Sequence, residues 1–180
     1  MLQNLPRRSV RLNRRIVLVS ALAVIALASA RMQGQPVKTA AQIVGGQFTS
    51  VNQRVLDMVK DFPEDKYSYK PSPEVRAFPE VAVHVMSGVV YAAKAGRGEK
   101  ASWDEIDPKG YRTKAQLVAA FEKSLTDATA ALKAIPPDRL AQSPDPWVSV
   151  LEHSAEHYGQ IVVYYRANGL VPPASRPKKP

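Results

Sequence analysis

The sequence contains no cysteine, which excludes disulfide bonds, thiolate metal ligands and a cysteine nucleophile from this chain. Aromatic residues make up only 7% of it, and histidine occurs just three times. Each histidine position is therefore informative. All of the imidazole groups can meet at one point if the elements that carry them pack together.

Acidic residues are absent from the N-terminal part of the chain, and this absence explains much of the net charge of +9. Five arginines lie within residues 1–30, and three further basic residues lie within residues 176–180. The middle of the chain is close to neutral and has no basic stripe interleaved with aromatic residues, so nucleic acid is not an expected partner. A chain of 180 residues with 45% hydrophobic content is sufficient for one globular domain.

Residues 1–30 have the order of a secretory signal peptide. A basic stretch up to Arg15 precedes the apolar run Ile16–Leu27, and small residues follow as far as Ala30. This run is shorter than the roughly 20 residues usually needed to span a bilayer. We expect cleavage near Ala30 and a periplasmic or secreted product, with membrane contact only through the signal segment. A retained anchor is the alternative, and Arg14-Arg15 leaves both general and twin-arginine export open.

The apolar pattern after a linker at residues 31–37 predicts four amphipathic helices within a domain at residues 38–170. The expected helices cover Lys38–Phe62, Phe78–Gly96, a third one from the N-cap Thr113 to Ile135, and a last one from the N-cap Asp145 to Asn168. Residues 96–112 form the longest connection, which is long enough for a lid or binding loop. Residues 171–180 are predicted to be an extended Pro/Lys-rich tail. The expected fold is an all-α, up-and-down four-helix bundle.

The three histidines all fall on predicted helices. His84 lies on the second helix, whereas His153 and His157 lie on the last, where a spacing of four places both on one face. Three neutral imidazoles and a vacant position form an open site for a divalent metal. The stretch His153-Ser154-Ala155-Glu156-His157 does not place its glutamate as in His-Glu-x-x-His, so a zincin-type protease is not expected.

Two stretches resemble the DinB-like (DUF664-type) four-helix metalloproteins. They are Pro71–Glu80 followed by His84, and Glu152–Gln160 continuing into Ser175; the resemblance covers residues 38–176. It implies a homodimeric bundle whose divalent transition metal is held by one histidine of the second helix and two of the last. These ligands match His84, His153 and His157. Zinc or nickel is the first expectation for the ion, and iron and manganese remain open.

Two kinds of function remain open at this stage. Some relatives are thiol-dependent transferases or isomerases, so the resemblance implies a metal-dependent thiol transferase. A hydrolase that uses a metal-activated water is open beside it, and the small-molecule substrate is unknown in either case. Export weakens the transferase reading, because the thiols that those relatives use are cytosolic. The alternative is a non-catalytic, metal-stabilised periplasmic binding or stress-response protein.

Several other residues are candidates for supporting the histidines. Glu80, Glu152 and Glu156 are placed to accept a hydrogen bond from a ligand imidazole, although acids on helix faces are more often solvated. Trp103, Tyr158 and Tyr164 are expected to be packing residues rather than substrate contacts.

Overall fold

The computed structural model describes residues 37–177, and within this range the chain forms helices and no strand. The four long helices are α1 (Ala40–Asp61), α2 (Phe78–Gly96), α3 (Lys114–Ala134) and α5 (Trp147–Ala167), and the short helix α4 (Pro137–Gln142) precedes α5. The expected all-α class is confirmed. The predicted signal peptide and almost all of the predicted linker lie outside the described residues.

Polar capping fixes the beginnings of α1 and α3. Thr39 and Gln42 form a reciprocal capping box at α1, and Thr113 and Gln116 form another at α3. In each box the threonine hydroxyl accepts a backbone N–H of the first turn, and the glutamine side chain accepts the N–H of the threonine. These contacts satisfy N–H groups that have no partner inside the helix, so α3 begins after the predicted N-cap and α1 begins two residues after the predicted Lys38.

The start of α5 differs from the prediction. Pro146 occupies the N-cap position without a side-chain cap, whereas Asp145 accepts a hydrogen bond from the Ser149 hydroxyl at 2.7 Å. The predicted N-cap role of Asp145 is therefore wrong by one position. The end of the helix follows the prediction, because Gly169 has a φ of +70°, a conformation that glycine adopts readily.

The order of the helices around the bundle corrects the expected up-and-down topology. α1 and α2 lie diagonally across the bundle, and each of them packs against both α3 and α5. Phe62, just after α1, stacks on Phe78 at the start of α2 at 3.9 Å between ring centroids and contacts Tyr165 near the end of α5 at 5.2 Å. The Lys114 ammonium at the start of α3 donates to the Phe62 carbonyl at 3.0 Å. α1 and α5 therefore run in one direction, and α2 and α3 run in the other.

Parallel α2 and α3 require a connection that returns along the bundle, which we term the crossover segment (residues 97–113). α2 has 19 residues and is about 28 Å long, whereas the crossover segment can extend to about 55 Å. It lies against α2, where the Ile106 N–H donates to the Ser87 hydroxyl at 3.0 Å. This path explains why the connection is long and where its side chains are placed.

The core is formed by the inward faces of the four long helices. Its largest fully buried side chains include Trp147, Tyr164, Tyr165, Phe48, Phe62, Phe78 and Phe121. Among residues 37–177, none of the helices combines the length and the apolar character needed to cross a bilayer.

The first part of the predicted tail is held against the bundle. Pro173–Ser175 forms a 3-10 turn, and the Arg176 guanidinium makes two hydrogen bonds to the Asp61 carboxylate at 2.7 and 2.6 Å. This pair lowers the pKa of Asp61. Residues 171–177 are thus less extended than the sequence predicts.

Candidate metal centre

The structure brings the three histidines together between α2 and α5. The Nε2 atoms of His84 and His153 are 2.9 Å apart, and the ring centroids of the three imidazoles are separated by 4.5 to 4.7 Å. One ring nitrogen from each residue lies within 4.8 Å of the others. The predicted meeting of the histidines is confirmed.

A buried polar contact orients α5 at this level. The Ser154 hydroxyl donates to Asn52 Oδ1 at 2.9 Å, and the Asn52 amide donates to the Phe48 carbonyl at 2.9 Å. Both Ser154 and Asn52 are fully buried. Since the contact ties this face of α5 to α1, the neighbouring His153 and His157 face α2.

Two of the histidines have a polar partner behind the ring. His157 Nδ1 lies 2.7 Å from Gln160 Oε1, and His84 Nδ1 lies 2.5 Å from Glu105 Oε1. The His84 contact is close but lacks the geometry of a directed hydrogen bond. The buried Nδ1 of His153 has no partner among the described residues.

Aromatic rings from the crossover segment and α2 cover one side of the cluster. The Trp103 indole meets the His153 ring edge to face at 4.8 Å and stacks on Tyr91 at 5.3 Å. Gly88 makes this position possible, because a Cβ there would lie 2.6 Å from Trp103 Cζ2. Trp103 therefore acts as the packing residue that the sequence predicts.

Burial favours the neutral form of the His84 and His153 imidazoles. Desolvation lowers the pKa of His153 to about 4, and the neighbouring His157 and His84 add to this effect. The pKa of His84 is also lowered, mainly by desolvation and then by the charge of Arg76, although Glu105 opposes the change. Neutral imidazoles have the free lone pair that metal coordination requires.

The arrangement fits a divalent transition ion. Partners at Nδ1 favour the tautomer in which the Nε2 lone pairs of His84 and His157 are free. The Nε2 atoms of His84 and His153 are also at hydrogen-bond distance, so in the metal-free protein one of them can donate to the other, with the roles set by the tautomers. The 2.9 Å separation of these Nε2 atoms corresponds to two ligands at about 90° on a common ion with bonds of about 2.0–2.1 Å, and a tetrahedral ion would need them about 3.3–3.4 Å apart. No fourth histidine and no carboxylate joins the cluster within residues 37–177.

The three glutamates named as candidates for supporting the histidines do not contact them. Glu80 accepts the Ala77 N–H at 2.6 Å and so caps α2, and Glu152 and Glu156 are exposed. The sequence reasoning missed Glu105 and Gln160. Gln160 could have been found from its position one turn after His157, whereas Glu105 had no signal beyond its place in the longest connection.

The two tyrosines named from the sequence take packing roles. Tyr164 is 1% exposed, and its hydroxyl donates to the Arg76 carbonyl. Tyr158 lies beneath the Arg54 guanidinium, which is 5.0 Å from the ring centroid.

Comparison with known proteins agrees with these features. The family model of the DinB superfamily matches residues 47–163, a range that contains all three histidines. No curated protein gives a significant match. Because the matched range covers more than half of the sequence, the chain belongs to the DinB superfamily.

Proposed function

We propose that this protein binds one divalent transition metal through His84, His153 and His157, with zinc or nickel as the first candidate. The observation that carries the proposal is the convergence of one ring nitrogen from each histidine within 4.8 Å. Neutral imidazoles suit both ions, and iron and manganese remain candidates.

An open coordination shell favours an enzyme over a purely structural site. Structural zinc sites usually have four protein ligands, whereas catalytic sites keep a position for water or substrate. Within the described range, no fourth histidine or carboxylate joins the three-histidine cluster. A metal ion there would supply Lewis-acid activation of a water or thiol. We therefore propose a metal-dependent hydrolase or thiol transferase that acts on a small molecule.

Metal titration tests the binding proposal. The full chain is stripped with a chelator and titrated with Zn²⁺ and Ni²⁺ against a chromogenic competitor. We expect one ion per chain, and we expect His153→Ala to lose at least about 100-fold in affinity because a ligand is removed. Glu152→Gln and Glu156→Gln are matched controls on the same helix that should bind like the wild type. A wild-type chain without stoichiometric binding would refute the proposal.

Chelation separates the enzyme from the metal-stabilised binding or stress-response protein that is the alternative. An enzyme should act on a panel of esters, phosphoesters or thiol acceptors, lose activity with the chelator and regain it when metal is returned. A structural site would instead show a large fall in melting temperature on chelation and no metal-dependent turnover.

We also propose export and homodimerisation, which rest on the sequence of residues 1–30 and on the family resemblance. N-terminal sequencing of the protein from its native compartment should find a mature chain that begins near Arg31. Light scattering of the purified protein should give twice the chain mass. An intact Met1 terminus would refute cleavage, and a monomer mass would refute the dimer.

A further inference from the structure

We propose that Glu105 positions His84 for metal binding and that Ser87 holds Glu105 in place through the backbone of Ile106. This inference rests on the proposed metal function of the histidine cluster. It assigns a role to the crossover segment, whose path along α2 brings residues distant in sequence next to the metal ligands.

Glu105 is placed to orient an imidazole rather than to bind the ion. Its Oε1 lies 2.5 Å from His84 Nδ1, on the side of the ring away from the Nε2 that faces His153. The cluster of converging ligand atoms does not include Glu105. A carboxylate behind a ligand histidine fixes the tautomer and the ring orientation and makes the ligand more basic.

The position of Glu105 must be set by its neighbours, because its own side chain is 55% exposed. The Arg76 guanidinium approaches the same Oε1 at 3.3 Å. The backbone of Arg76 is itself tied to α5, since its carbonyl accepts the hydroxyl of the buried Tyr164. The carboxylate is therefore held between Arg76 and His84.

Ser87 provides the second point of attachment. It is 2% exposed, donates to the Val83 carbonyl at 3.0 Å and accepts the Ile106 N–H at 3.0 Å. Ser87 follows His84 by three residues and so shares its face of α2. The hydroxyl thus joins the residue next to Glu105 to the helical turn that carries His84.

Metal affinity of single variants tests the role of Glu105. We expect Glu105→Gln to weaken Zn²⁺ or Ni²⁺ binding about 10- to 100-fold, since loss of such an outer partner typically has this effect. Asp104→Asn is the matched control, because it removes the same charge from the adjacent residue, whose carboxylate contacts Ser102 instead. If wild-type binding is tight and Glu105→Gln binds equally well, the role of Glu105 is refuted and the proposed function stands. If the wild type binds no metal, both fail.

A double variant tests whether Ser87 acts through Glu105. Ser87→Ala should weaken metal binding about tenfold in the wild-type background and have little effect in the Glu105→Gln background. Ser124→Ala is the control, because Ser124 makes the same kind of bond to its own helix, to the Ala120 carbonyl at 2.9 Å. Equal losses in both backgrounds would mean that Ser87 has only a structural role.

The tautomer of His84 in the metal-free protein is a second test of whether Glu105 positions this ring. In the metal-free wild type at neutral pH, the nitrogen chemical shifts of His84 should report a proton on Nδ1, and Glu105→Gln should shift the balance toward Nε2. Unchanged tautomer populations in Glu105→Gln would refute the proposed positioning even if the metal affinity of the variant changed.

Discussion

Three glycines within helices should respond differently to a methyl group, because a Cβ at each would meet different surroundings. At Gly46 the added Cβ would have no heavy atom within 4 Å apart from those of the adjacent helix backbone. At Gly88 it would lie 2.6 Å from Trp103 Cζ2, and at Gly96 it would lie 2.3 Å from Trp147 Cζ2. Both distances are far below the roughly 3.5–4.0 Å at which carbon atoms pack favourably.

The mobility of each tryptophan determines the expected free-energy change. Alanine stabilises a helix relative to glycine by about 0.5–1 kcal/mol, so Gly46→Ala should gain that amount. Trp147 is 1% exposed and meets Phe48 edge to face at 5.0 Å, so it cannot move without disturbing the core. Overpacking costs about 1–3 kcal/mol, so after the helix gain Gly96→Ala should be destabilising by up to about 2.5 kcal/mol.

Gly88→Ala should change the site more than the stability. Trp103 is half-buried in the crossover segment and can move outward, so the gain in helix stability and the loss of packing should leave the free energy of unfolding within about 1 kcal/mol of the wild type. The displaced indole would lose its contacts with His153 and Tyr91. Its emission should shift to longer wavelength and become easier to quench.

Urea denaturation followed by far-UV circular dichroism measures the three stabilities, and a chelator keeps the samples free of metal. Tryptophan emission and acrylamide quenching report the position of Trp103, with Gly46→Ala as the reference. The reasoning would be refuted if Gly96→Ala were as stable as Gly46→Ala. It would also be refuted if Gly88→Ala left the emission and quenching unchanged.

Two further predictions concern the histidine cluster. The pKa of His153 is lowered from 6.5 to about 4 in the folded protein. Between these pH values the unfolded chain binds more protons than the folded chain. The free energy of unfolding of the metal-free protein should therefore decrease as the pH falls, by up to about 3 kcal/mol. Urea titrations at several pH values should show this slope, and His153→Gln should flatten it; an unchanged slope would contradict the pKa. Ser154→Ala leaves Asn52 Oδ1 buried without its donor and should cost about 1–3 kcal/mol by the same measurement. A loss no larger than that of the partly exposed Ser124→Ala would contradict this.

The sequence predicted the helices well because their boundaries depend on local chemistry. Thr39 and Thr113 cap their own helices, and Gly169 ends α5 with a positive φ. The exception is Asp145, whose side chain bonds to Ser149 rather than to a backbone N–H. The short α4 was not expected, since no helix is predicted between Ile135 and Asp145.

The helix order could not be predicted from these local signals. Amphipathic patterns show which face of a helix is buried, but they do not specify which helix covers it. The parallel arrangement of α2 and α3 depends on contacts such as Phe62 with Phe78 and Tyr165, which join segments far apart in sequence. The length of the crossover segment was the only indication of this arrangement.

By itself, the sequence determined the helical class, the family and the three histidines, because periodicity, capping residues and motif spacing are local properties of the chain. Only the tertiary structure decided which groups support those histidines. Glu80, Glu152 and Glu156 are near the ligands in sequence, yet Glu105 and Gln160 are the polar residues that lie beside ring nitrogens of the histidines. The physical reason is that a side chain's neighbours depend on the path of the backbone, and the return of the crossover segment along α2 is what places Glu105 beside His84.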